Sequence, residues 1–406
     1  MRREGPIRAS SSAPTGGSEA AKPRAWGDHS RPFEARNRHF DRLFNTPGLM
    51  WLGQNTNHFH PHPAVVQAML DAIRHEEYHA YAPPAGFEEL RTLILEDLGL
   101  RDQSVLVTDG AVEALYNVCH TLCGPGDEFV TTDPGWKWPI DFARAAGART
   151  IEIPIYRPEH GYKLTIAQLE AAVTDKTRLI YLVDPNNPLG VCYSAAEIEA
   201  FTRIARGVGA YFMHDCTYAH FADDHTLAAR YYPERAVTIY SFSKWLGLAG
   251  MRIGAVVAQP ELVERLAAAP PNNLGCNVIS QRAAIAGLRI RSEWFPEINR
   301  RQRRNQAEIA KAVANVPGMA IAVYPSQANF LVVECIDAGV APEALCEAYR
   351  AENIMIRQGT YHTPTFGHRF VKVSTTVPEE WVDAFCARLP DMVAKARGVA
   401  PVGALF

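Results

Sequence analysis

Residues 241–252 read Ser-Phe-Ser-Lys-Trp-Leu-Gly-Leu-Ala-Gly-Met-Arg. Lys244 therefore follows two hydroxyls, Ser241 and Ser243, and precedes a second cation, Arg252, by eight residues. Apolar runs at Ala236–Ser241 and Ile253–Ala258 lead in and out, so the segment reads as a strand end. These groups suit a ligand with two handles. Hydroxyls and a guanidinium grip a phosphate, and a lysine amine bonds covalently to an aldehyde. Pyridoxal 5'-phosphate carries both. The nearby cation also lowers the lysine pKa and favours the nucleophilic amine. A surface lysine on a loop has the same local pattern, so the reading depends on what accompanies it.

Four other segments supply what such a ligand needs. Asp109-Gly110-Ala111-Val112-Glu113 follows a strand and opens a helix, where free N–H groups and the positive dipole end attract phosphate. Gly110 lets the backbone approach closely. Asp133-Pro-Gly-Trp136 places an aromatic at a strand-end turn, suited to stacking on a flat ring. In Asp184-Pro-Asn-Asn187-Pro188, Asn187 would donate to a phenolate oxygen from a tight, even cis, turn. Asp215 closes the run Ala210–Asp215, and a carboxylate buried there needs a partner such as a protonated pyridine nitrogen. Tyr218, three residues on, would reach the phenolate oxygen. Taken singly, each has an ordinary reading: a strand-to-helix turn, a core tryptophan, a turn signal, an N-cap aspartate. Together they all fall at the carboxyl ends of strands, where open α/β sheets bind ligands.

The elements that must position them alternate. β-branched runs at 104–108, 128–132, 150–155, 178–183, 210–214, 237–241 and 253–258 are separated mostly by helical patterns such as 112–122 and 195–206. This predicts an α/β large domain with a mostly parallel seven-stranded sheet between helices. Strand patterns at 320–324, 330–333, 354–357 and 370–374, a helix at 380–394 and a long joining helix from about 293 to 314 predict a smaller α+β domain. A helix at 63–74 shows Val66, Leu70 and Ile73 on one face. The predicted division is 1–47 disordered tail and N-terminal arm, 70–290 large cofactor-binding domain, and 48–69 with 291–398 small domain.

With 406 residues, 47% hydrophobic, the chain has ample core, and a net charge of −3 gives no footprint for nucleic acid. No apolar run approaches a membrane span. The eight cysteines are scattered and read as reduced thiols, which predicts a cytoplasmic location. Met1 to about Lys22 lacks an apolar targeting core and reads as a disordered tail. His58, His60 and His62 suggest a metal, but their segment is extended and proline-broken, with no acidic or cysteine partner close by, so no metal is expected.

Through "HAYAPPAGFEELR", "DGAVEAL", "DPGWKWP", "DPNNPLG", "HDCTY", "SFSKWLGLAGMRIG", "SQANFLVV" and "NIMIR", in order and spacing, the chain resembles the class I/II aminotransferases, the fold-type I pyridoxal phosphate enzymes. It resembles most the histidinol-phosphate aminotransferase branch, over about residues 48–395. The resemblance implies that Lys244 is the Schiff-base lysine and proton shuttle, and that Asp215 pairs with the ring nitrogen. It implies that Asn187 and Tyr218 bind the phenolate oxygen and that Trp136 stacks on the ring. Gly110, Ala111, Val112, Ser241, Ser243 and Arg252 would hold the phosphate, joined by Tyr81 from the partner subunit of a homodimer. Asn55, His58, Arg357 and Lys372 would face the amino-acid substrate.

Two segments depart from the family's pattern. The arginine usual for the substrate carboxylate is Lys372 here, a point charge without the bidentate fork. "QNTNHFHPHP" stands where an Asn-Glu-Asn-Pro motif is common, with Thr56 and His58 in place of the acid and the proline. The reaction expected is transamination of an amino acid with a polar or anionic side chain. A looser carboxylate anchor leaves decarboxylation, or β/γ-elimination and replacement, as the alternative. A non-catalytic regulatory protein of the same fold ranks last, because no helix-turn-helix pattern precedes the fold.

Overall fold

The structure is a computed structural model that describes residues 30–268 and 274–399. The predicted tail to Lys22 lies outside them. Helix α1 (Ser30–Phe44) belongs to one unit, and the chain from Gly48 forms a second.

In that second unit, strand β1 (Met50–Trp51) leads to helix α2 (Pro63–Arg74), then α3 (Glu88–Leu98) and β2 (Ser104–Thr108). Alternation follows: α4 (Ala111–Leu122), β3 (Glu128–Asp133), α5 (Trp138–Ala145), β4 (Arg149–Pro154), α6 (Ile166–Ala172), β5 (Thr177–Val183), α7 (Ala195–Gly207) and β6 (Tyr211–Asp215). Strands β7 (Ala236–Ser241) and β8 (Gly254–Ala258) complete the set. Among the described residues these form a seven-stranded sheet in the order β2-β8-β7-β6-β5-β3-β4. Only β8 runs antiparallel to its neighbours. β5, β6, β7 and β8 are almost wholly buried, as strands covered on both faces must be. Local chemistry sets the helix starts. Capping boxes close α6 (Thr165 with Gln168) and α7 (Ser194 with Glu197), each satisfying two otherwise orphaned N–H groups.

The remainder holds α8 (Pro260–Ala268), the 37-residue α9 (Val278–Ala314), β9 (Ala320–Ile321), β10 (Phe330–Glu334), α10 (Pro342–Arg350), β11 (Ile354–Met355), β12 (Arg357–Gln358), β13 (Phe370–Ser374) and α11 (Glu379–Ala396). A four-stranded sheet runs β12-β13-β10-β9. Two apolar clusters result. One surrounds the large sheet, and the other lies among α10, α11, the end of α9 and the smaller sheet. Phe59 and Val65 pack in the first, Leu52 in the second.

Two expectations change. The joining helix begins at Val278 rather than near residue 293 and runs through Pro296. The single strand expected at 354–357 is two, because Ile354 pairs with Met50 of β1 while Arg357 pairs with Lys372 of β13. The apolar stripe of α2 is the outward one: Val66, Leu70 and Ile73 are 36%, 40% and 47% exposed, while Val65 and Ala72 are buried. Helical spacing reports that a stripe is apolar, not which way it faces.

Candidate active site

Lys244 lies just past the end of β7, partly buried, with Nζ donating to the Gln54 carbonyl at 3.3 Å. Burial, reinforced by the Arg252 charge and opposed by Asp215, brings its amine down to about 8. A much larger fraction of that amine is neutral and nucleophilic near neutral pH than in a free lysine.

Beside it is a built anion cradle. Gly110 caps α4 at φ +85°, and a Cβ there would collide with the Arg252 guanidinium. Arg252 is itself anchored, donating from Nη1 to the Ala249 carbonyl (2.7 Å) and from Nη2 to that of Asp109 (3.2 Å). Gly254 lets β8 approach closely, since a Cβ on it would stand 2.6 Å from the Ala111 nitrogen. The Ser241 hydroxyl accepts the Ser243 N–H at 3.2 Å, and both residues are buried. A helix N-terminus, a guanidinium and two hydroxyls suit a phosphate.

Asp215 ends β6 and is 3% exposed. Its carboxylate accepts the Tyr181 hydroxyl at 2.9 Å and the Thr217 N–H at 3.0 Å, and among the described residues it has no ion-pair partner. Burial pushes its carboxyl up, against those hydrogen bonds. A protonated ring nitrogen would supply the missing positive charge. Tyr218 is buried, and its oxygen accepts from Asn55 Nδ2 at 3.0 Å. Asn55 Oδ1 is buried without a partner among the described residues. Asn187 follows the cis Asp184–Pro185 bond and precedes a second cis bond to Pro188. Trp136 is half-buried in the turn after β3. These groups fit pyridoxal phosphate on three structural grounds: the cradle at Gly110, the uncompensated Asp215 carboxylate and the chemistry of the donors.

Lys372 is 3% exposed on β13, with Nζ donating to Asn187 Oδ1 at 3.2 Å and lying 5.1 Å over the Phe330 ring. Burial, then the charges of Arg357 and Lys244, holds its amine well below the ordinary lysine range. Arg357, directly across the strand pair, donates from Nε to the Gly53 carbonyl at 3.2 Å, and its guanidinium lies 4.6 Å over the Tyr361 ring.

Two predicted residues stand apart. His58 has Nε2 2.7 Å from Thr56 Oγ1 and packs its ring at 5.3 Å on Trp381 of α11, with burial lowering its pKa. Tyr81 is 81% exposed. The three histidines diverge, for His60 is exposed and His62 Nδ1 accepts the Ala64 N–H to cap α2. Another histidine group, His214 and His225, lies by Asp184 and Cys216. His214 Nδ1 accepts the Ala228 N–H at 3.2 Å, so the neutral ring carries its proton on Nε2, facing Asp184. A metal would need the free ring lone pair, and on this tautomer the Ala228 N–H already occupies it.

Sequence reasoning missed three contributors: the Gln54 carbonyl, Tyr181 and Tyr361. Tyr181 left a trace as the one polar tip in the apolar run Leu179–Val183. The other two lie in segments without periodicity.

The family model for aminotransferase class I and II matches residues 47–389. A histidinol-phosphate aminotransferase of Rhodospirillum centenum is 30% identical over 84% of this chain and 89% of its own length. An aspartate/prephenate aminotransferase of Thermus thermophilus is 28% identical over 74% and 80%. The solved N-succinyldiaminopimelate aminotransferase of Mycobacterium tuberculosis superposes with a TM-score of 0.80 at 24% identity, covering 91% of this chain and all of that one.

Proposed function

The chain belongs to the aminotransferase class I and II family and is a pyridoxal phosphate-dependent transferase of the fold-type I class, and from that premise we propose that it moves the amino group of an amino acid with a polar or anionic side chain to a 2-oxo acid, using Lys244. The observation that carries the assignment of the site is the placement of Lys244: an amine just past the end of β7, hydrogen-bonded to the Gln54 carbonyl and close enough to Asp215 and the Arg252 cradle for both charges to act on it.

When bound, pyridoxal phosphate supplies an aldehyde for the amino group and a ring that draws electrons from Cα. The chain does the rest. Arg252, the α4 N-terminus with Ala111 and Val112, and the hydroxyls of Ser241 and Ser243 hold the phosphate. Asp215, steadied by Tyr181 and Thr217, keeps a proton on the ring nitrogen. Asn187 and Tyr218 hold the phenolate oxygen, and Trp136 covers the ring. Lys244 Nζ takes the proton from Cα and returns it. Lys372 orients the substrate by its α-carboxylate, which selects the bond that breaks, and Arg357 with Asn55 receives the side chain. Buried and already held by Asn187, Lys372 is less mobile than a surface lysine, which supports transamination over the alternatives. The names of the relatives, histidinol-phosphate and aspartate/prephenate aminotransferases, support a side chain bearing phosphate or carboxylate.

The enzyme acts as a homodimer. The outward stripe of α2 and the exposed Tyr78, Tyr81 and Leu274 support a second copy as its cover, with Tyr81 reaching the partner's phosphate. The second apolar core, which holds Leu52 and residues from Ile309 to Ala396, supports a small domain at 48–69 with 291–398 beside a large one at 70–290, although Phe59, Val65 and Phe330 of those ranges pack with the large sheet. Among the described residues no helix is long and apolar enough to cross a membrane. All eight cysteines are free, which fits a reducing cytoplasm.

Borohydride reduction followed by peptide mapping should place a pyridoxyl group on Lys244. An amino acid should bleach the yellow band and a 2-oxo acid should restore it. A label elsewhere would remove Lys244 from the site. Bleaching that no 2-oxo acid reverses, with carbon dioxide released, would make the protein a decarboxylase.

A further inference from the structure

A buried imidazole with nothing to bond stands beside the cations of the cleft. His362 is 5% exposed, and among the described residues neither Nδ1 nor Nε2 has a hydrogen-bond partner. A neutral imidazole carries one donor and one acceptor, and buried polar groups seldom go unmatched. Among the described residues the charged groups that act on it are all positive: Lys372 on β13, Arg357 on β12, and Lys137 in the turn before α5. Burial first, and then these charges, keeps the ring neutral. Tyr361 stands edge-on to it at 5.1 Å, and the Tyr361 ring lies 6.2 Å from that of Trp136. The turn is pinned. The Gly359 and Gly367 backbones are packed so closely that neither has room for a Cβ, and the His362 N–H donates to the Gly359 carbonyl at 2.8 Å.

We propose that His362 is a substrate-recognition residue, binding the acidic side-chain group of the amino acid, carboxylate or phosphate, and taking up a proton as that group arrives. The anion supplies the acceptor that the ring lacks. Its charge also offsets the three cations that oppose protonation. The proton comes from solvent, one for each ligand bound. This rests on the reading of the cleft as the amino-acid site.

The test is calorimetry on the holoprotein near neutral pH, in two buffers of different ionisation enthalpy. The probes are succinate, 3-phosphonopropionate and, as a control without the second acid, butyrate. The proton count is corrected for any change in the cofactor's own absorption band. A diacid should bind at least about tenfold tighter than butyrate and carry about one extra proton with it. The diacid that binds more tightly identifies carboxylate or phosphate as the group recognised. His362→Asn and His362→Phe should each lose about tenfold for that diacid, together with the proton, while the yellow band and butyrate binding stay unchanged. The idea fails if neither diacid outbinds butyrate, if the wild type takes up no extra proton, or if both variants weaken diacid and butyrate alike. A wild-type protein that forms no Lys244-linked chromophore would instead overturn the assignment of the site.

Discussion

At Lys244 burial and a neighbouring guanidinium act in the same direction, and both favour the neutral amine. The consequence is a pH profile. Only the neutral form attacks an aldehyde, so capture of pyridoxal by the apoprotein should accelerate about tenfold per pH unit and level off near 8 rather than at the ordinary lysine value. Pyridoxal without its phosphate isolates the amine from the cradle. In Arg252→Gln the levelling point should move to higher pH, because the charge that opposed protonation is gone; a point that stays put would remove Arg252 as a cause. Lys372 differs in kind. It is buried against an amide oxygen and an aromatic face, so the cation that replaces the family's arginine has its position fixed by Asn187 and Phe330. The sequence exposed the substitution but not that packing.

At the scale of elements, the cradle is made by three backbones converging: the start of α4, the end of β7 and the start of β8. Gly110 is the tightest point, at a φ that disfavours side chains and with the Arg252 guanidinium where a Cβ would lie. Gly110→Ala should weaken retention of pyridoxal phosphate by at least about tenfold, about 1.4 kcal/mol, measured by dialysis against cofactor-free buffer. Pyridoxal capture by Lys244 should persist, since the amine is not moved. The second pair of elements is β12 and β13, which set Arg357 opposite Lys372. The strand pattern at 370–374 was legible from alternation. The two-residue β12 was not, because so short a pairing has no period to detect, and only its neighbour defines it.

For the whole molecule, the informative surface is the outward stripe of α2 with Val66, Leu70 and Ile73. Full burial of an exposed side chain of this size stabilises by about 1.5–3 kcal/mol, and these are already more than half covered, so a second copy seated there would gain on the order of 1 kcal/mol from each. Leu70→Glu with Ile73→Glu should shift the protein to monomer in sedimentation. Turnover should fall with it, because Tyr81 could no longer reach a partner. Dimers that persist at low micromolar concentration would place the interface elsewhere. The double variant should keep its fold, because Val65 and Ala72, the residues α2 buries, are untouched.

The sequence by itself determined the α/β class, the family and the cofactor, and it singled out Lys244, Asp215, Asn187, Tyr218 and Arg252 as the residues proposed to hold it. These sit at strand ends, and strand ends are marked locally by turns and by breaks in apolar periodicity. Tertiary structure alone decided that Tyr181 braces Asp215, that Lys372 bonds Asn187, that α2 faces outward and that His58 turns to Trp381 instead of the cleft. It also decided that His362 lies buried among cations. The contacts among these join segments tens to more than three hundred residues apart, or turn on which side of an element meets the core. A pattern of neighbours along the chain encodes neither, because both are settled only when the sheets and helices pack.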